Sequence, residues 1–81
     1  MKEIGTIETY FSKVGVVAVT LSGDLKVGDK IKIKGANTDF EQEVISMQID
    51  RKPIAHAKKG DSVGIKVFDV VRKSDKIYKI G

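Results

Sequence analysis

Residues 22–34 read Ser22-Gly23-Asp24-Leu25-Lys26-Val27-Gly28-Asp29-Lys30-Ile31-Lys32-Ile33-Lys34. Two tight turns in succession lead into a run in which every second residue is apolar. Glycine takes the positive φ that a tight turn asks for, and Asp hydrogen-bonds nearby backbone and pins the start of the next segment. The alternation over Lys30–Lys34 is the period of a half-buried strand, with three Lys on one face and two Ile on the other. The same lead-in, a small residue and an Asp before a strand, recurs at Gly60-Asp61-Ser62-Val63 and at Ser74-Asp75-Lys76-Ile77. Its spacing is irregular, so it is a reused device and not a repeat.

Working outward from this stretch, β-branched runs separated by Gly, Ser and Asp continue in both directions, and no window carries the i, i+3, i+4 spacing of a helix. Strands are expected at 4–11, 14–21, 30–34, 40–49, 54–57, 63–67 and 77–80. Along 40–49 the apolar parity shifts from even (Phe40, Val44) to odd (Ile45, Met47, Ile49), which predicts a β-bulge near Val44. Arg51-Lys52-Pro53 is expected to break the pattern, since proline cannot donate to a ladder. The Phe residues are expected in the core. Short strands at this spacing imply a single all-β domain over residues 1–81, a barrel or sandwich.

The chain holds 81 residues, 15 Lys and Arg against 11 Asp and Glu, and no cysteine. The absence of cysteine excludes disulfides, thiolate zinc sites and cysteine nucleophiles, and it suits a reducing, cytoplasmic setting. No apolar run approaches the ~20 residues of a membrane span, so no membrane association is expected. The mild basic excess permits nucleic-acid contact and equally serves as a solvated surface.

Catalytic signals are sparse. Gly23 to Lys30 approximates a phosphate-binding loop, but Asp29 stands where the phosphate-holding Lys is needed and a strand follows where a helix is required, so no nucleotide is expected. His56 is the single histidine and has no ligand or nucleophile at a recognisable spacing, so neither a metal nor a cofactor is expected. Glu41 and Glu43 share a strand face and keep it wet. The expectation is a non-enzyme.

The order of several segments resembles the second-domain β-barrel of translation factors such as elongation factor Tu. The residues that carry the resemblance are Gly5-Thr6-Ile7, Val14-Gly15-Val16-Val17, Leu25-Lys26-Val27-Gly28-Asp29-Lys30-Ile31, Val44-Ile45-Ser46-Met47-Gln48, Ala57-Lys58-Lys59-Gly60-Asp61-Ser62-Val63-Gly64-Ile65 and Asp75-Lys76-Ile77-Tyr78. The chain departs from that pattern at Ser74, where glycine is usual. It also resembles small stand-alone translation-factor-like proteins, and the C-terminal barrel of collagenase-like peptidases. The resemblance implies a closed or nearly closed barrel of about six to seven antiparallel strands. It also implies a non-catalytic module that binds RNA or a ribonucleoprotein in translation; the alternative is a protein–protein adaptor or accessory subunit using an exposed barrel face.

Two basic features are the candidate contact sites. Lys30, Lys32 and Lys34 stand about 6.5–7 Å apart on one strand face, near the spacing of single-strand phosphates, although such a face also discourages edge-to-edge pairing. Arg51, Lys52, Lys58 and Lys59 flank a hairpin around Pro53, where Arg51 is able to grip a phosphate at two points.

Overall fold

The computed structural model describes residues 1–80, which form ten strands and no helix. The strands are β1 (Lys2–Phe11), β2 (Val16–Leu21), β3 (Leu25–Lys26), β4 (Lys30–Lys34), β5 (Asp39–Glu43), β6 (Met47–Ile49), β7 (Lys52–Ile54), β8 (His56–Ala57), β9 (Ser62–Lys66) and β10 (Lys76–Ile80). Eight of them make one antiparallel sheet in the order β5-β4-β10-β1-β2-β9-β6-β7, and β3 pairs with β8 as a separate ribbon.

The all-β expectation holds, but the closed barrel of about six to seven strands does not. No backbone ladder joins the two outer strands, β5 and β7, and the sheet curls into a half-barrel. The segment expected as one strand over 40–49 divides in two. Val44 still faces the core, Ile45 and Ser46 turn outward, and β6 resumes with Met47 inside. The parity shift was read correctly; its cause is a break in the ladder, and Ile45 is exposed where an inner position was expected. Pro53 does not end the pattern either. It sits on β7 opposite Gln48, and β7 is an outer strand, where a missing N–H costs no ladder bond.

The core is aliphatic: Ile4, Ile7, Val17, Val19, Leu25, Ile31, Ile33, Val44, Met47, Ile65 and Ile77 are all sealed from solvent. Each such side chain contributes roughly 1.5–3 kcal/mol of transfer free energy, which a chain this short needs. Ile4 and Ile7 lie three apart, against the period of a strand. The bulge at Glu3/Gly5 lets both point inward, and the second at Ile7/Thr9 turns Tyr10 back toward the core. Gly5 is required by closeness: a Cβ there would stand 2.5 Å from Val19 Cγ1.

The three lead-ins form one turn built three times. Gly28, Gly60 and Ser74 take φ of 100°, 94° and 77°, the left-handed third position of a type II turn. In each, the Asp N–H closes onto the carbonyl three residues back, Asp29 on Lys26, Asp61 on Lys58 and Asp75 on Arg72. Each Asp carboxylate also accepts a bond from that same residue's N–H, at 3.0, 3.0 and 2.9 Å. The carboxylate therefore locks the turn behind it, not the strand ahead as the sequence suggested.

Candidate functional site

The lysine stripe is not an open cationic track. On β4, Lys30 pairs across the strand with Glu43 of β5, Lys32 with Glu41 and Lys34 with Asp39. On the other side Lys34 meets Lys76 and Lys32 meets Tyr78 of β10, and Tyr78 meets Glu3 of β1. That face thus carries four cations (Lys30, Lys32, Lys34, Lys76) and four carboxylates (Glu3, Asp39, Glu41, Glu43). Lys32 Nζ lies 3.4 Å from Asp39 Oδ1, and Lys76 Nζ lies 3.9 Å from Glu3. An interleaved mosaic of both signs builds little field, whereas phosphate tracking needs a continuous positive one. The acidic partners were visible in the sequence as Asp39, Glu41 and Glu43; what was missing was the register that sets them opposite Lys.

The second basic set lies in loops. Ile49 pairs with Lys52, so Asp50 and Arg51 alone form the β6–β7 turn, at φ of 51° and 64°. Positive φ at both positions defines a type I′ turn, which usually takes Asn-Gly. Lys52 begins β7, while Lys58 and Lys59 begin the turn between β8 and β9; all four cations are exposed. The Lys58 N–H is held by Asp61. His56 is exposed on β8 beside Lys26. Among the described residues no three His, Asp or Glu side chains group as metal ligands.

What the sequence did not reveal is a groove of about 1220 Å³ on the sheet. Tyr10, Phe11 and Val14 border it on the β1–β2 side, Ile49 and Arg51 on the β6–β7 side, and Gly64 lies in its floor. Phe11 is 51% exposed and Val14 57%, against the expectation that every Phe is core. Charges at its margins balance, Lys13 and Arg51 against Asp50 and Asp61. Gly64 keeps the floor low: a Cβ there would meet Gln48 Cγ at 3.1 Å and Val16 Cγ1 at 3.2 Å. A groove with apolar walls and main chain in its floor suits a polypeptide better than a phosphate backbone. The signal lay in Phe11-Ser12-Lys13-Val14, where Phe11 ends β1 and Val14 sits in the turn beyond it, two large apolar side chains at a polar strand end.

No helix among the described residues is long and apolar enough to cross a membrane. No family model matches the chain. An uncharacterised protease of Methanocaldococcus jannaschii is 44% identical over 77 residues, which is 94% of this chain and 19% of that protein. A collagenase of Porphyromonas gingivalis is 38% identical over 72 residues, 86% of this chain and 20% of the relative. The chain thus spans about a fifth of the length of the curated relatives it matches. Among solved structures, the C-terminal domain of a Geobacillus thermoleovorans protein described as a U32 peptidase superposes with a TM-score of 0.91 at 17% identity. That match covers 99% of this chain and 93% of the other, and it establishes likeness of fold. A selenomethionine variant of the same domain gives 0.89. These findings overturn the assignment to the translation-factor barrel, and with it the RNA-binding role in translation. The Leu25 to Ile31 stretch that suggested it records how a small sheet turns its corners and not what the sheet binds.

Proposed function

We propose that the chain is an accessory β-domain of the collagenase-like (U32) peptidases, and that its groove holds polypeptide for cleavage chemistry located elsewhere in a longer protein. The observation that carries this reading is the 77-residue match at 44% identity to a protease about five times longer. A segment that fills a fifth of an enzyme and superposes on a separately solved domain is a natural unit for binding. The groove supports the substrate class: Phe11 and Val14 stand out from its wall and give an extended chain apolar contact, while Arg51 and Asp50 at the hairpin tip offer polar contacts to peptide groups.

Two measurements test the proposal. The 81-residue chain alone should be retained on immobilised gelatin and should not cleave it. Replacing Phe11 and Val14 by Ser should abolish retention with unchanged unfolding midpoint, since both side chains are exposed. In the Porphyromonas collagenase, removing the matching segment should raise KM for gelatin more than it lowers kcat. Cleavage of gelatin by the chain alone, or an unchanged kcat/KM without the segment, overturns the reading.

A further inference from the structure

The outer strand β5 and the end of β9 face each other across a seam with no strand ladder. At one end the seam is pinned by the Lys66 N–H donating to Ser46 O at 3.2 Å. At the other it widens into a pocket of about 330 Å³ between Thr38–Phe40 and Asp69–Val70. Between them stands Gln42, 8% exposed, on the inner face of β5. Its Nε2 donates to Lys66 O at 2.8 Å and its Oε1 accepts from the Phe68 N–H at 2.9 Å. A carbonyl and an N–H two residues apart on one edge are the pair that a single residue of a parallel neighbouring strand meets with its own N–H and C=O. The side-chain carboxamide of Gln42 offers one such donor and one such acceptor on the same side.

We propose that Gln42 is a clasp: its carboxamide stands in for the missing ladder, and the seam opens and closes through this one side chain, apart from the rest of the sheet. The flanks are built for such local motion. Val67 and Val71 are anchored in the core, while Phe68 and Val70 between them are 60% and 66% exposed, and Ile45 across the seam is 48% exposed. Val67 N–H points away from the seam, to Gly15 O at 2.8 Å. Opening therefore frees the outward groups of Lys66 and Phe68, beside exposed apolar side chains, and leaves Val67 in place. The proposal is independent of the peptidase reading.

Amide hydrogen exchange with residue resolution tests it. In Gln42→Leu, the Lys66 and Phe68 amides should lose protection together, by about tenfold or more, while Val67, Val17 and Val19 keep theirs. Gln42→Glu supplies a graded control. A protonated carboxyl offers one donor and one acceptor, and an ionised one only acceptors. Protection at Lys66 and Phe68 should be near wild type at about pH 4 and lost at about pH 8, after correction for intrinsic exchange. Lys30 and Lys32 on β4, Glu43 on β5, and Lys66 and Asp69 beyond the seam are the charged groups around this position, so wild type measured at both pH values fixes their contribution. Loss of protection at Phe68 alone reduces Gln42 to a single hydrogen bond and overturns the clasp. Equal loss at Val67, Val17 and Val19 shows global destabilisation and overturns it as well.

Discussion

Replacing Ser74 by glycine should stabilise this protein. The three type II turns share their hydrogen bonds, and at the left-handed third position two carry Gly and the third carries Ser at φ 77°. A side chain in the left-handed region costs about 1–2 kcal/mol. Glycine gives back about 0.5–1 kcal/mol through the freedom of the unfolded chain. The net gain for Ser74→Gly is about 0.5–1 kcal/mol, because the Ser74 N–H to Ile7 O bond of 2.8 Å is main-chain and survives. For a domain of this size that raises Tm by roughly 2–8 °C. The reverse change has a matched control at Gly60, whose φ is 94° and where an added Cβ meets nothing within 4 Å. Gly60→Ala therefore loses a similar amount through backbone conformation alone. Urea unfolding of the three proteins measures both, read as shifts of midpoint at constant m. An unchanged or lowered midpoint for Ser74→Gly, or a neutral Gly60→Ala, would refute the argument that φ sets the energy of these turns.

Gly5→Ala places a methyl 2.5 Å from Val19 Cγ1, so β1 and β2 must part or Val19 must leave its rotamer; a loss of about 1–3 kcal/mol in urea unfolding is expected. Arg51→Gly relieves the second of two left-handed residues in the β6–β7 turn and should raise stability by about 0.5–1 kcal/mol. The same variant should weaken retention on gelatin, because Arg51 borders the groove; stabilisation with unchanged retention would remove Arg51 from the binding surface.

Strand identity was legible where one face is buried and the other wet. Lys30–Lys34 and Ser62–Lys66 alternate cleanly and form β4 and β9 as the pattern required. The lead-in turns were legible because Gly-Asp chemistry is local. Sheet order and closure were not, since they depend on which distant strands meet. The sequence of β4 contains its three Lys but not the fact that β5 answers each with a carboxylate. A stripe that reads as wholly basic in sequence therefore stands beside an acidic one in the sheet. Gln42 could have been found: it shares the parity of Phe40 and Val44, and a carboxamide on a core face must be bonded to something. The groove required knowledge that Phe11 and Val14 end up beside Ile49 and Arg51, residues some forty positions away in the chain. The resemblance to the translation-factor barrel misled for a related reason, whereas the resemblance to collagenase-like peptidases agrees with the relatives found. The former rested on turns and strand alternation, which recur wherever a short chain builds a curled sheet.

Strand β10 is last in chain order yet third in the sheet, with β4 on one side and β1 on the other. Until β10 is made no ladder joins β4 to β1, and β4–β5 meets β1–β2–β9 only through β6 and the Gln42 seam. Neither can be sealed until residues 76–80 leave the ribosome, so maturation is all-or-none at that moment, and a nascent chain stalled just short of it is the species most in need of a chaperone.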